Sequence, residues 1–441
     1  MRVLLIGKGG REHAIAWKIS QSKLLTKLYL WPGNPGMKTL GELFPVSPSA
    51  DFASLIAAAK QNHIDMVVSG PEAPLSEGLA DAFAAAGIPT FGPVQAVAQL
   101  ESSKAFAKAI MTKAKIPTAA FKVVHSEDEC RAEALAMLSA SGGVVLKASG
   151  LAAGKGVFVC RNADEVTAGI ERLYHSDMKA AATDVVIEEV LHGRECSYFC
   201  FLGKAGPLSL GFAVDYKRLN DGDQGPNTGG MGCYAPVPWL PEGAAARVQA
   251  EVIEPLLKAL KNEGLTYQGC LYVGLMWSPT KGPQVVEFNV RLGDPEAQVL
   301  ALHDDRDWLG WMAASCGLTG GVQRPEGQSD RQRQLTGKPA AVVVVMAAAS
   351  YPYGNDAGTV ATLPESLFAS NPDASVVTFA ANVATKTDGV ITTSTGRVLT
   401  VGARGANFVE ARALAYAQVE QLAKIWAGSR WRGDIALAVE T

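Results

Sequence analysis

Three polar side chains, Glu287, Asn289 and Arg291, alternate with apolar ones in the stretch Val285 to Glu296, VVEFNVRLGDPE. The alternation predicts a strand with Val286, Phe288, Val290 and Leu292 on one face and the polar three on the other. Side chains two apart on a strand face sit roughly 6.5–7 Å from each other. A carboxylate and an amide oxygen so placed can share one hard cation such as Mg2+, which takes oxygen ligands and keeps several waters. Arg291 offers a planar fork for a carboxylate or a phosphate. The strand stops at Gly293-Asp294-Pro295, a turn by composition. Taken alone, the stretch fits an edge strand with a solvated face as well.

Two lysines lie in a second chemical stretch. Lys147 sits inside the apolar run VVLKA (144–148), and a glycine-rich loop carrying Lys155 (149–156) leads to VFVC (157–160). Two strands joined by such a loop make a flap that can close over phosphates. It is not a Walker loop, because Gly156 follows Lys155 where Ser or Thr is required. A lone ammonium is costly to bury, so Lys147 calls for an anionic partner. A hairpin with two surface lysines is the plainer alternative. Further on, the apolar strand 185–191 carries Glu188 and Glu189, with Glu195 soon after. These acids suit the adenine edge and ribose hydroxyls of a nucleotide, although single acids are usually surface residues. Asp215 and Lys217 precede GDQGPNTGGMG (222–232), where five glycines argue against helix and regular strand. A loop of that length is functional or disordered.

The elements that must position these groups begin with VLLIG (3–7), which predicts a buried strand running through Gly7-Lys8-Gly9-Gly10 into a helix from about Arg11. Strand, glycine turn and helix present backbone N–H groups to a phosphate. The dinucleotide fingerprint fails because Glu12 stands at its last glycine, so NAD is discounted; a plain βα turn is the alternative. Strands at 28–30, 66–69 and 89–91 run into PGNPG (32–36), GPEAP (70–74) and Gly92-Pro93, describing an open parallel sheet with its turns on one edge. Asn34, Gly70, Pro71 and Glu72 belong to that edge, although Glu72 also suits a helix start. Helices are expected at about 94–113 and 242–263, and a strand at 270–277. Strands at 341–346, 375–379 and 397–401 and a helix at 407–424 follow.

Composition removes other classes. The 441 residues are 48% hydrophobic and 19% charged with net charge −3, which suggests neither nucleic acid nor an anionic membrane as partner. The apolar run 340–349 falls well short of the roughly 20 residues of a membrane span. The N-terminal apolar run is too short for a signal peptide. Seven scattered cysteines without a C-x-x-C pair fit reduced thiols in the cytoplasm rather than zinc or disulfides.

GGREHA (9–14), PGNPG (32–36), GPEAPL (70–75), SKAF (103–106), LKASGLAAGKGV (146–157), IEE (187–189), DYKR (215–218), GPNTGGMG (225–232) and EFNVRLGDPE (287–296) occur in the order seen in one family. The chain resembles the phosphoribosylamine–glycine ligases, ATP-grasp enzymes of purine biosynthesis. The resemblance implies an α/β fold in three parts. They are an open parallel-sheet domain (1–102), a central α+β ATP-grasp domain (103–320) with a mobile flap (about 120–190), and a C-terminal β-rich domain (335–441). It implies ATP with Mg2+ or Mn2+, and glycine joined to 5-phosphoribosylamine through glycyl phosphate by a monomer. On the family's pattern, Glu287 and Asn289 match metal ligands. Lys104, Lys147, Lys155, Glu188, Glu189, Val190 and Glu195 fall in the nucleotide site. Asp215, Lys217, Arg291, Gly293 and Asp294 handle glycine and the acyl phosphate, with Arg291, Lys147 and Asp215 as the catalytic set. Gly9, Gly10, Arg11, Asn34, Gly70, Pro71 and Glu72 face the phosphoribosylamine. Ser149 and Val214 depart from residues common in the family, without removing a metal or phosphate group. A sibling carboxylate–amine ligase and an inactive nucleotide sensor are the rival readings. No catalytic constellation is expected in the C-terminal domain.

Overall fold

The computed structural model describes residues 1–152, 156–176, 178–318, 339–354, 356, 358–368, 371 and 374–439. The N-terminal part is a five-stranded parallel sheet in the order Glu42–Leu43, Lys27–Pro32, Arg2–Gly7, Met66–Ser69, Thr90–Phe91. The central strand is apolar throughout because both of its faces are covered: Val3 and Leu5 enter one apolar cluster, Leu4 and Ile6 another. Parallel pairing brings the turns after Gly7, Pro32 and Ser69 to one edge, as the strand–turn alternation predicts.

The helix expected at 94–113 is two helices, Gln95–Ser102 and Lys104–Ala114, broken at Ser103. Ser103 leaves helical geometry (φ −139°, ψ 103°), and its hydroxyl accepts the Phe106 N–H at 3.2 Å. Serine competes for backbone donors, so it caps helices more readily than it continues them. The break puts Lys104 in the first turn of the second helix.

A four-stranded antiparallel sheet in the order Phe121–Val124, Val185–Glu189, Val144–Ala148, Val157–Cys160 carries helices Glu127–Ser141 and Ala163–His175 over its own apolar cluster. Ser126 and Asn162 cap these helices, and both have acidic first turns.

The largest sheet has eight antiparallel strands: Gly282–Asn289, Gly269–Ser278, Arg194–Leu202, Leu208–Asp215, Gly232–Ala235, Ala340–Ala347, Arg397–Gly405 and Val376–Ala380. Its edge strand differs from the expected alternation. It ends at Asn289, and Leu275 pairs with Val285 while Gly274 pairs with Glu287, so Val286 is the extra residue of a β-bulge. Val285, Phe288 and Val290 enter the core, whereas Val286 lines the same cavity as Glu287, Asn289 and Arg291. The glycine-rich stretch differs too: Gln224–Asn227 forms a short strand against Arg218–Asn220. The hairpin takes tight backbone at Gly222 (φ 65°) and Gly225 (φ 80°), positions open to glycine at little cost.

The C-terminal strands continue the central sheet through the pairing of Ala340–Ala347 with Gly232–Ala235. Ala341 and Val343 enter one apolar cluster and Val342 and Val344 the other, which explains an apolar run without alternation. A chain ending at residue 338 leaves Gly232–Ala235 as a bare apolar edge, and such edges aggregate. That truncation is expected to be insoluble on expression; a soluble product with a cooperative thermal transition would show that the central sheet closes without its C-terminal strands.

Candidate active site

A cavity of about 360 Å³ opens where the edge strand, the helix Lys104–Ala114, the flap sheet and the strand Arg397–Gly405 meet. Its wall includes Arg11, Glu72, Lys104, Lys147, Glu188, Asp215, Lys217, Glu287, Asn289, Arg291, Gly293 and Asp294. Groups spread over nearly three hundred positions of sequence therefore share one space.

Arg291 is the most heavily tied. Its Nη2 meets Glu101 Oε1 at 2.7 Å and Asn289 Oδ1 at 3.2 Å, and its Nε donates to Glu72 Oε2 at 3.1 Å. Arg11 reaches the same Glu72 oxygen at 3.8 Å. Burial pushes the Glu72 carboxyl up, but Arg291 and Arg11 outweigh it and hold the group below its ordinary range. Glu101 goes the other way: burial dominates and raises it despite Arg291. Glu101 also accepts the Val290 N–H at 2.8 Å, fixing the backbone between Asn289 and Arg291.

Lys147 finds its anionic partner inside the protein. Nζ lies 2.7 Å from Glu188 Oε2 and donates to the Val286 carbonyl at 3.1 Å, which links flap sheet and edge strand. Glu188 Oε1 faces Lys108 at 3.0 Å, and Lys108 donates to Thr118 at 2.7 Å. Lys104 has no ion pair among the described residues; burial lowers its pKa, and Glu287 partly offsets that. For Glu287 burial pushes upward, but Lys104, Lys147, Lys217 and Arg291 together hold it below the ordinary carboxylate range. Among the described residues its carboxylate forms no ion pair or hydrogen bond. An ionised oxygen pair without a partner, beside the Asn289 amide, suits a hard divalent cation that keeps ligands from water or phosphate. The residues present therefore fit Mg2+ or Mn2+.

Lys217 bridges Asp215 Oδ1 (3.1 Å) and Glu195 Oε1 (2.6 Å). Burial first, then Glu195, raises Asp215, against the opposing charge of Lys217. Glu195 itself is not part of the cavity wall. Glu189, the last residue of the strand Val185–Glu189, accepts the Ala120 N–H at 3.1 Å, and neither it nor Val190 is in the cavity wall. Lys155 lies outside the described residues, as do Ala153 and Gly154 of the flap loop.

The N-terminal turns stay clear of the cavity wall, Arg11 and Glu72 excepted. The Gly9 N–H, expected to be free for a phosphate, donates to Glu12 Oε2 at 2.6 Å. Glu12 is buried, and a Cβ at Gly70 would lie 2.2 Å from its Oε1. Pro71 only precedes the helix Glu72–Ser76. Gly10 packs against Gln298 and Thr400. The Asn34 amide donates to Lys8 O (2.6 Å) and Ala380 O (3.1 Å), stitching the first turn to a C-terminal strand.

Residues 1–101, 102–297 and 341–438 match, in turn, the N domain, the ATP-grasp (A) domain and the C domain of phosphoribosylglycinamide synthetase. The chain is similar to the phosphoribosylamine–glycine ligases of Brucella melitensis (41% identity, covering 99% of this chain and 97% of that one) and Agrobacterium fabrum (42%, 99% and 98%). It is similar to the solved phosphoribosylamine–glycine ligase of Thermotoga maritima (32% identity, TM-score 0.78, 98% of this chain and 100% of that one). The chain belongs to the phosphoribosylamine–glycine ligase family. It is an ATP-dependent ligase of purine biosynthesis, as the motif order implied. The biotin carboxylase domain of Hydrogenobacter thermophilus 2-oxoglutarate carboxylase shares the fold (TM-score 0.69) at 16% identity.

Three members of this ligase's cavity wall carry no signal in the sequence, Glu101, Lys108 and Arg397; a fourth, Glu296, ends the EFNVRLGDPE stretch without a chemical role of its own there. Glu101 and Lys108 read as ordinary helix charges, and Glu296 as a helix-start acid. No catalytic constellation is expected in the C-terminal domain, but one of its side chains, Arg397, reaches the cavity wall. Its Nη1 donates to Gly229 O and Asp294 O, both at 2.7 Å, and its Nη2 pairs with Asp294 Oδ2 at 3.0 Å. Those partners lie far away in sequence, so only the continuous sheet reveals them.

Proposed function

We propose that the cavity makes glycyl phosphate from ATP and glycine and then passes the glycyl group to 5-phosphoribosylamine. The observation that carries this reading is one wall holding an unpaired anionic oxygen pair, two lysines and a clamped arginine. A glycine carboxylate oxygen attacks the γ-phosphorus, the bond to the β-phosphate oxygen breaks, and ADP leaves. The phosphoribosylamine nitrogen then attacks the acyl carbon, the carbon–oxygen bond to phosphate breaks, and the nitrogen gives up a proton. Phosphoryl transfer needs positioning and charge neutralisation more than covalent help.

Lys104 and Lys147 supply positive charge for the ATP phosphates. Lys147 has one donor left after Glu188 and Val286, and that donor is its share of the work. Glu189, Val190 and Glu195 border the nucleotide's base and ribose. Glu287 and Asn289 would hold Mg2+ or Mn2+, which when bound neutralises phosphate oxygens. Arg291, braced by Glu72 and Glu101, presents its charge at the acyl phosphate without swinging away. Asp215, Lys217, Gly293 and Asp294 border glycine. Arg11 and Glu72 lead toward the N-terminal turns, including Gly9, Gly10, Asn34, Gly70 and Pro71, as the side from which phosphoribosylamine enters.

The same reading places a monomer in the cytoplasm, without nucleic acid or membrane as partner. In support, all seven cysteines are buried and free, and no helix among the described residues is long and apolar enough to cross a membrane.

Purified protein with ATP, Mg2+, glycine and freshly generated phosphoribosylamine is expected to release ADP only when both co-substrates are present. Turnover with a different acid or amine would make it a sibling ligase. ATP binding without turnover would favour a sensor.

A further inference from the structure

The carboxylates around the cavity can be sorted by what each already holds. Glu72 and Glu101 hold Arg291, Glu188 holds Lys147 and Lys108, Asp215 holds Lys217, and Asp294 holds Arg397. Two are left: Glu287, which fits the metal, and Glu296. Glu296 lines the cavity and is only 4% exposed. Apart from its own backbone amide, no described residue hydrogen-bonds or ion-pairs with its carboxylate.

Its place is built rather than incidental. Glu296 opens the helix Glu296–His303 directly after the Gly293-Asp294-Pro295 turn. A Cβ on Gly293 would lie 2.3 Å from Glu296 Oε2, so a larger residue there would push the carboxylate from this position. An unpaired carboxylate buried this deeply is costly. A small cation entering the cavity would remove that cost.

We propose that Glu296 is the counter-ion of the glycine ammonium group and so selects an α-amino acid over a plain carboxylic acid. This rests on the glycine-ligating function proposed above. Asp215 is the obvious competitor for that part, but it already has an ion partner in Lys217, whereas Glu296 has none among the described residues. Glycine carries its ammonium two bonds from the carboxyl carbon. Gly293 and Asp294 line the wall beside Glu296, so the amino end at Glu296 leaves the carboxylate end toward Arg291.

Several charged or titratable groups act on Glu296. Asp215, Lys217 and Arg291 influence it directly, and Glu296 in turn influences Tyr272, Cys233 and Arg397. Burial, and then Asp215, lifts the group to about 7. At neutral pH the empty site is therefore part-protonated. An arriving ammonium favours the ionised form, so binding releases a proton, and glycine affinity falls as pH drops below about 7.

The test titrates glycine into the full chain with Mg2+ and a non-hydrolysable ATP analogue at pH 7, in buffers of different ionisation heat. Wild type is expected to release a fraction of a proton per glycine. Glu296→Gln is expected to release none, to bind glycine about 10–100-fold more weakly, and to lose much of the preference for glycine over glycolate. Glu296→Asp keeps the charge and is expected to recover part of the affinity. It also serves if the glutamine variant fails to fold. Unchanged proton release and glycine affinity in Glu296→Gln would overturn the proposal. So would weakened Mn2+ binding with glycine binding intact. Failure of the ligase reading itself would show separately, as wild-type ADP release that does not need glycine.

Discussion

Arg291→Met is expected to lower glycine-dependent ADP release by about 10³-fold, because the role proposed for Arg291 is a fixed charge at the acyl phosphate. It also lowers stability by about 3–5 kcal/mol, the usual cost of breaking a buried ion pair from one side. The partners left behind differ. Glu72 is half-buried and can turn to water, whereas Glu101 is buried and has already been driven upward by burial. Without Arg291, Glu101 stays protonated to higher pH. A carboxyl whose folded pKa lies above its unfolded one contributes stability below the unfolded value and loses it as pH rises. The Arg291→Met deficit should therefore widen as pH climbs from the unfolded value of 4.5. Urea unfolding of wild type and variant at pH 5 and pH 8 measures this. Equal stability at both pH values would mean that the pair does not hold the strand end. Arg291→Lys should recover little, since one ammonium cannot reach Glu72, Glu101 and Asn289 together.

Glu287→Gln separates metal binding from folding. The variant is nearly isosteric and breaks no ion pair among the described residues. The chain should fold, while Mn2+ affinity measured by paramagnetic resonance should fall at least about 100-fold and ADP release about 10³-fold. The stability effect has a definite sign. Glu287 is held below its ordinary range by Lys104, Lys147, Lys217 and Arg291 after burial has pushed the other way. Such a group stabilises above its unfolded pKa and loses that contribution as pH falls through the lower folded value. Wild type should therefore be modestly more stable than Glu287→Gln at pH 7, with the gap closing in acid. Unchanged Mn2+ affinity would move the metal to other oxygens of the cavity.

Both variants lie on the one stretch that the sequence marks most clearly. Alternation along 287–291 sets Glu287, Asn289 and Arg291 on one side because side chains on extended backbone point alternately, a property of the local backbone. The same locality makes strand-then-glycine-turn legible in the N-terminal sheet and the flap hairpin legible around Lys147. Serine as a helix breaker at 103 was equally local, and reading the capping preference of SKAF would have found it.

Tertiary structure decided what those faces meet. The bulge that turns Val286 to the polar side comes from register with a neighbouring strand, which no period within 285–291 encodes. Lys147 demands an anion on grounds of burial alone, but that the anion is Glu188 follows from strand pairing across the flap sheet. Glu101 and Arg397 become site residues only because a helix and a C-terminal strand are brought to the cavity, and Gly9 loses its free N–H because Glu12 folds back on it. Motif order, strand faces and turn positions are properties of neighbours along the chain, so the sequence by itself determined them. Which charges are neutralised, and which carboxylate is left alone in the dark of the cavity, depends on contacts between distant segments, and only the folded chain brings those together.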